Sequence, residues 1–405
     1  MSEFTTHMTT HGLGRYLIDL PPTWRFGSGD VTLYYGLGTD FKTVDVEVID
    51  QGVTPAQFHA AVAWRAQRIQ DVTNHETHRS MLVGSWPVDV RIDDGKGGKG
   101  REGILLRFFR STLGGGSQAH ELHMLLGNTY VQLTAKSYEG VPGAGPVETR
   151  DQVEARLRTL ARQIFLIRDP ARERPGFILG PIIIDGPQDH ERATINFYDP
   201  NRLDVTLEVE SMAVTPDESP RLLNRIDRDF AASDTPVHVL RRGKHDFAGM
   251  AGEEVLFTME EQANQSKTTI HSFTFVGESY RPDPGLPRPS FALRLSAGGD
   301  IYWDSDKERL ARQAAPDYLM NESRLPSFAA HDPSPSGILD PPPVDASLTD
   351  NEATAVWDAI LPTIRPRPGA VALPKPRDEP PPPISRDQAQ RDQQALDAFI
   401  ASRPD

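Results

Sequence analysis

Polar and apolar residues alternate along two stretches of the chain, Val44–Val48 and Leu203–Glu210. Alternation with a period of two is typical of a strand that has one face in a core and the other in water. We therefore predict a half-buried strand in each stretch. The acidic residues that this prediction places in water are Asp45, Glu47, Asp204 and Glu208.

A helix start follows each of these strands. Thr54–Gln57 (TPAQ) and Thr215–Glu218 (TPDE) both put threonine at the N-cap, proline at the first helical position and Gln or Glu at the third. This is the pattern of a capping box with proline at the one position that a helix tolerates. Thr349–Glu352 (TDNE) opens the last predicted helix with a similar box.

The two halves of the chain repeat one order of elements: strands, a helix, a meander of strands and a closing helix. The apolar stripes of the two first helices are Phe58, Val62 and Ile69, then Leu222, Leu223, Ile226 and Phe230. The predicted meander strands are Val88–Ile92, Gly103–Arg110, Ala119–Leu126 and Tyr130–Tyr138, then Val237–Leu240, Gly252–Met259, Thr268–Glu278 and Ser290–Ser296. A strand followed by a similarly capped helix, occurring twice, favours an internal duplication.

This order predicts an α+β fold of two similar domains, each an antiparallel β-sheet covered on one face by helices. We expect the domains at residues 12–170 and 176–368, followed by a proline-rich tail at 369–405. Eight prolines between Pro366 and Pro383 favour polyproline or disordered conformations over a packed core. Arg386–Ser402 has the pattern of a short helix.

Charge and composition narrow the function. The chain has 405 residues, with 43 basic and 57 acidic side chains, for a net charge of −14. This disfavours a nucleic-acid binder and favours, for a protein partner, one with a complementary basic face. The absence of cysteine excludes disulfides and thiolate chemistry. We see no apolar run long enough to span a membrane and no export signal at the N-terminus.

The motifs of nucleophilic and phosphate-binding sites are incomplete. Gly115–Ala119 (GGSQA) comes nearest to the G-x-S-x-G elbow of serine hydrolases, but we interpret it as a hairpin turn. Asp93–Glu102 has the glycines and lysines of a phosphate loop, but Arg101-Glu102 stands where Lys-Ser or Lys-Thr is needed. We interpret this segment as a loop between strands.

Two histidine pairs also lack the spacing of a metal site. His75 and His78 flank Glu76, and His120 and His123 flank Glu121, but neither pair has the H-E-x-x-H spacing that puts two imidazoles on one helical face. On a strand, the second pair points to opposite faces, and we expect surface or half-buried histidines. We therefore predict that the protein has no catalytic residues, binds no cofactor and no metal, and is not an enzyme.

At the level of family, Gly14–Pro21 (GRYLIDLP) resembles the opening strand of the two-domain immunity proteins (Tli-type) for lipase effectors of bacterial type VI secretion. Ser347–Gly369 resembles the end of their C-terminal domain, with matches at Leu348, Ala353, Trp357 and Ile364. The similarity spans roughly Gly12 to Gly369. It rests on core and turn positions, so the same scaffold with another binding role is the alternative.

The resemblance implies an immunity protein that binds and inhibits a cognate phospholipase or lipase effector, with 1:1 stoichiometry. The two domains would grip the effector in a cleft and block its active site or its lid. The resemblance also implies a role in bacterial competition and a periplasmic location, with the cytoplasm as the alternative. A binding module, secretion adaptor or chaperone that does not inhibit its partner is the second hypothesis for function.

Loops between strands commonly carry recognition on a rigid scaffold, and Arg and aromatic residues are frequent hot spots. From loop chemistry alone we predict partner contacts in both halves. The predicted contact residues are Asp93, Asp94, Lys96, Lys99, Arg101, His245, Asp246, Tyr280, Arg281, Tyr302 and Trp303.

Overall fold

An antiparallel sheet of twelve described strands passes through both halves of the chain. In this computed structural model the residues described are 7–36, 42–90, 101–138, 148–186, 188–214, 221–232, 235–262, 269–280, 284–299 and 344–371. Within these ranges the fold is mostly antiparallel β-sheet with few helices, which agrees with the predicted antiparallel sheets.

The first half contains ten strands and two helices among the described residues. They are β1 (Thr9–Leu13), β2 (Tyr16–Leu20), β3 (Arg25–Tyr35), β4 (Lys42–Gln51), α1 (Pro55–Gln70), β5 (Thr73–Asn74), β6 (Arg79–Ser80), β7 (Leu82–Pro87), β8 (Arg101–Ser111), β9 (Gly114–Leu126), β10 (Thr129–Tyr138) and α2 (Arg150–Ala161).

A short linking sheet precedes the second half and consists of β11 (Ile164–Leu166), β12 (Phe177–Leu179) and β13 (Ile182–Ile184). The described elements that follow are β14 (His190–Asp199), β15 (Arg202–Met212), α3 (Leu222–Ala231), β16 (Val237–Lys244), β17 (Gly252–Gln262), β18 (Thr269–Ser279), β19 (Ser290–Ala297), α4 (Asp350–Ile360) and β20 (Arg365–Pro366).

The two halves meet in the middle of the large sheet. There β3 pairs with β14 in antiparallel register, from Phe26 opposite Phe197 to Tyr34 opposite His190. Outward from this pair the strand order is β3-β4-β10-β9-β8-β7 on one side and β14-β15-β19-β18-β17-β16 on the other. The order of strands is thus the same in both halves, and the sheet joins the two predicted domains without a gap.

The main core lies on one face of this sheet. Every second residue of the central strands is buried there, as the alternation predicted, with Val44, Val46 and Val48 at 4% exposure or less. Helices α2 and α4 pack on this face and share the same apolar cluster. β20 closes against β2 on this side, so that the end of the described chain returns to its beginning.

The prediction that helices cover one face of the sheet is wrong, because α1 and α3 pack on the other face. Strand β8 illustrates the division: Leu105 belongs to the main core, whereas Leu106 and Phe108 belong to a second cluster with α1. In the second half Leu256 faces the main core, and its neighbours on β17 form a third cluster with α3. Neighbouring strand residues point to opposite faces, so each half has one helix on each side.

Two predicted strand positions also differ from the structure. The first meander strand is β7 at Leu82–Pro87 rather than Val88–Ile92, because Pro87 ends the ladder and Val88 continues with a single hydrogen bond to Gly103. The turn before β9 lies at Thr112-Leu113, so that the serine of the GGSQA segment stands within the strand.

The predicted helix starts are confirmed where the structure describes them. Thr54 and Thr349 both form reciprocal capping boxes, with Gln57 and Glu352. α2 begins with a third box at Thr149, which the sequence reading missed. Thr215–Glu218 lies outside the described residues, as does the tail beyond Val371.

Candidate partner-binding surface

Among the described residues, the central strands of the sheet present a polar face between α1 and α3 that no helix covers. α1 lies over β8, β9 and β10, and α3 lies over β16 and β17. Within the described part of the chain, no helix covers β3, β4, β14 and β15 on this side. The two helices therefore form walls around an open floor of sheet.

Carboxylates dominate this floor. Their strand neighbours Val31, Val46 and Leu207 are fully buried in the main core, which turns the intervening side chains toward the open side. We name this set the acidic sheet face and define it as Asp30, Asp45, Glu47, Glu208 and Glu210.

The strand register lines up three of these carboxylates. Asp30 lies directly opposite Glu47 on β4, and Thr194 lies between Asp30 and Glu210. Neighbouring strands are about 4.8 Å apart, and like charges directly opposite each other destabilise a sheet. The register thus brings negative side chains of neighbouring strands close together on this face.

The local contacts only partly compensate this charge. Thr32 Oγ1 donates to Asp45 Oδ1 at 2.7 Å, and Arg192 approaches Glu210 at 3.7 Å. Partial desolvation of Asp30, together with the negative charge of Asp45, raises the pKa of the Asp30 carboxyl against the opposing charge of Arg192. A raised pKa means that the ionised form of this carboxyl is disfavoured in the isolated protein.

The α1 wall is fastened by a buried ion pair. Arg65 donates to both carboxylate oxygens of Glu121, at 3.1 and 2.7 Å, and both side chains are at most 7% exposed. His123 stands 3.4 Å from the same carboxylate and hydrogen-bonds Tyr130 at 2.7 Å. Although burial opposes ionisation, the hydrogen bonds from His123 and Arg65 lower the pKa of Glu121 to about 2.

The α3 wall has an equivalent Arg–Glu ion pair that is more exposed to solvent. Arg225 donates to both carboxylate oxygens of Glu278, with one bond at 2.9 Å, and the two side chains are 27% and 14% exposed. We call each of these two bidentate Arg–Glu pairs a fork. Tyr280, one of the predicted contact residues, donates to Glu278 at 2.8 Å and accepts from the Leu222 amide at 2.5 Å. Burial and the nearby carboxylate raise the pKa of the Tyr280 hydroxyl. Tyr280 therefore holds the start of α3 on the sheet.

The other described contact residues lie away from the acidic sheet face. Arg101 donates to the backbone carbonyls of Val90, Ala161 and Ile164. His245 hydrogen-bonds Glu254 at 2.7 Å, and Asp246 accepts from the Gly252 amide at 3.4 Å. The predicted contact residues outside the described ranges are Asp93, Asp94, Lys96, Lys99, Arg281, Tyr302 and Trp303.

The histidine pairs do not converge on a metal site. His75 and His78 are exposed at the turn between β5 and β6, but His120 and His123 are buried, not half-buried as expected. His120 hydrogen-bonds Ser137 at 2.8 Å on the α2 face. Burial and the charge of Arg107 lower the pKa of His120 to about 4. Among the described residues, no group of three possible ligands could hold a metal ion.

One acidic residue of the predicted solvent faces is buried instead. Asp204 is 5% exposed and accepts from the amides of Gly298 and Ser347, at 3.1 and 2.8 Å. It fixes the chain that enters α4, so the prediction for Asp204 is wrong. Asp30 and Glu210 were not singled out from the sequence, although both continue the alternation of their strands.

Comparison with known proteins supports the family suggested by the sequence. The family model described as Tle cognate immunity protein 4 C-terminal domain matches residues 172–318. No curated protein matches the chain. None of the described helices is both long and apolar enough to cross a bilayer.

Two solved structures share the fold. One is the apo structure of immunity protein TplEi of T6SS from Pseudomonas aeruginosa, and the other is the crystal structure of the Tle4–Tli4 complex. Each has 21% identity and a TM-score of 0.52, and the match covers 91% of this chain and 99% of the other. The predicted resemblance to type VI immunity proteins is therefore confirmed, by the family model at residues 172–318 and by a fold shared over nearly the whole chain.

Proposed function

We propose that this protein is an immunity protein that binds and inhibits a cognate lipase effector of type VI secretion. The observation that carries the proposal is the match of residues 172–318 to an immunity-protein family. The fold is also that of an immunity protein solved together with its effector. In this proposal the immunity protein acts by binding its effector. It needs no catalytic activity, because a bound immunity protein blocks the effector directly.

The acidic sheet face is the docking floor in this proposal. Asp30 lies opposite Glu47 and has a pKa raised by burial and by Asp45, and a basic effector surface would favour the ionised form of these carboxylates on binding. The walls α1 and α3 then flank the effector on two sides. This arrangement accounts for the proposed grip between the two halves, with the open face as the cleft.

The two halves are, in our proposal, copies of one ancestral unit. The shared strand order, with a first helix on the acidic side and a closing helix on the core side, supports this origin. The paired forks Arg65–Glu121 and Arg225–Glu278 support it as well, since each joins the first helix to the same strand of its half. The predicted domain limits near residues 170 and 176 then mark the junction of the copies.

Of the predicted loop contacts, Tyr280 belongs to this proposed grip, and the others remain predictions without a place in it. Tyr280 sits at the base of the α3 wall, and His245 lies at the hairpin between β16 and β17. We place the encounter in the periplasm, where immunity proteins of this family meet their effectors.

The direct test uses a candidate lipase effector encoded at the same locus as this protein. The full chain is mixed with the purified lipase, and phospholipid hydrolysis is measured as the ratio is raised. We expect a 1:1 complex and loss of hydrolysis near equimolar protein, with binding weakened by salt because charge contributes to it. Full lipase activity in excess protein contradicts the proposal. Stable binding with unchanged hydrolysis would instead support a non-inhibitory adaptor or chaperone.

A further inference from the structure

A second site lies on the opposite side of the sheet from the acidic sheet face. It is a partly enclosed cavity of about 400 Å³ where the two halves join. Its walls come from β1, the start of β3, the ends of β4 and β14, and the turn between β12 and β13. The volume falls within the range of about 300–1,000 Å³ that is usual for small-ligand pockets.

The charge of this cavity is opposite to that of the molecule. Arg25 and Arg168 line it, against the single carboxylate of Asp50, in a chain with a net charge of −14. Among the described residues, neither guanidinium has a carboxylate within 4.0 Å. Arg25 reaches only the carbonyls of Pro22 and Trp24, both at 3.3 Å. Both guanidinium groups are therefore available to a ligand.

A third polar group in the wall lacks a partner. The Nε2 atom of His11 is buried and has no hydrogen-bond partner among the described residues. The ring packs edge-on against Phe197, with centroids 5.4 Å apart. Burial, together with the charge of Arg25, lowers the pKa of His11 to about 4. An anion beside this ring would reverse that shift, because a nearby negative charge favours the protonated imidazole.

We propose that this cavity binds a small phosphate-bearing anion through Arg25, Arg168 and His11. Guanidinium groups suit phosphate oxygens, and three donors on separate elements match a tetrahedral group better than a planar carboxylate. Trp24 and Phe26 line the same space and provide apolar contacts for the carbon part of the ligand. This site is independent of the proposed effector surface.

The test uses full-length protein with ¹³C-labelled histidine and glycerol 3-phosphate as the probe. The His11 signal, assigned with His11→Asn, is followed by NMR during the titration. We expect saturation and a rise in the pKa of His11 of about one unit or more. The Arg25→Gln, Arg168→Gln double variant should bind about tenfold more weakly or worse. The Arg158→Gln, Arg228→Gln variant, changed at exposed helical positions, is the matched control and should bind as the wild type does.

Two further probes identify the source of the anion. Competition by inorganic phosphate assigns the site to a free phosphate group, whereas binding to phosphatidylglycerol vesicles that is lost in the double variant assigns it to a lipid headgroup. Either result supports the site. The absence of any saturable change in the His11 signal up to about 20 mM of either soluble probe, with no vesicle binding, overturns it. Unchanged affinity in a folded double variant overturns it as well.

Discussion

The two walls of the acidic sheet face occupy equivalent places and are anchored to different degrees. α1 has 16 residues, a capping box and a share in a cluster of eleven buried residues. Within the described ranges, α3 has 10 residues, no side-chain cap at Arg221 and a cluster of four buried residues. Its first amides are held instead by the sheet, through Tyr280 and Glu253. Among the described residues, α1 thus has more buried contacts with the sheet than α3 has.

The Arg–Glu forks of the two walls also differ in how deeply they are buried. Arg65 and Glu121 are nearly inaccessible, so that either charge without the other would be buried and unpaired. Arg225 and Glu278 are partly in water, where solvent screens the pair and can replace a lost partner. Removal of one partner should therefore cost the first half more stability than the second half.

The largest effect is expected at the forks. Arg65→Met leaves the Glu121 carboxylate buried without its main partner and should lower the free energy of unfolding by about 3–5 kcal/mol. Arg225→Met should cost about 1 kcal/mol, because Glu278 can be solvated. Chemical denaturation of both variants measures the two losses. Equal losses would remove the distinction between the walls.

Apolar truncation should separate the helices in a similar way. Phe58 on α1 is fully buried, and Phe58→Ala should cost about 3–5 kcal/mol. Ile226 on α3 is 7% exposed, and Ile226→Ala should cost about 2 kcal/mol, at the lower end for its type. The midpoints and slopes of urea unfolding give both values. A larger loss for Ile226→Ala than for Phe58→Ala would contradict the account.

The pH dependence of stability should come from the first half. His120 precedes Glu121 of the fork on β9, whereas Gly277 precedes Glu278 on β18 and has no group to titrate. Both His120 and His11 have pKa values lowered to about 4, so unfolding takes up protons between about pH 6.5 and 4. The free energy of unfolding should therefore fall as the pH is lowered through this window, by up to about 1.4 kcal/mol per pH unit for each histidine.

Denaturation at pH 7, 6 and 5 measures this slope above the titration of the carboxylates. His120→Gln retains a hydrogen-bonding side chain next to Ser137 and should reduce the slope by about half. A slope that His120→Gln leaves intact would mean that other groups control the acid sensitivity.

The smallest effect concerns the floor between the walls. Asp30→Asn removes a like-charge opposition with Glu47 and should stabilise the protein by about 0.2–1 kcal/mol. Glu208 lies opposite Arg294, so Glu208→Gln serves as the matched variant and should bring no gain. Thermal unfolding near pH 7 compares the two. A loss of stability in Asp30→Asn would show that the charge of Asp30 does not lower the free energy of unfolding.

Local patterns predicted the local elements well. The valines of β4 and the boxes at Thr54 and Thr349 were readable because period and capping act within a few residues. The edge strand β7 was missed because its exposed LVGSWP sequence has no alternation and ends in proline. Asp204 was misplaced because the backbone amides that donate to its carboxylate come from chain segments about 90 and 140 residues away.

The site was predicted only in part for the same reason. Asp45, Glu47 and Glu208 were correctly placed in water, but the sequence does not say that β3 and β14 are neighbours. That pairing joins the halves into one sheet and brings Asp30 and Glu210 onto the same floor. The forks join residues more than 50 positions apart, which no spacing rule connects.

The central claim is that the acidic sheet face binds and inhibits a lipase effector. The direct measurement is residual phospholipid hydrolysis by the lipase of the same locus at increasing concentrations of three proteins. These are the wild type, the Asp30→Lys, Glu47→Lys variant, and a control with Asp151→Lys and Asp350→Lys at exposed positions of α2 and α4, on the other face of the sheet. We predict equal inhibition by wild type and control, and inhibition about a hundredfold weaker for the reversed face. Inhibition by the reversed variant that equals that of the wild type would contradict the claim.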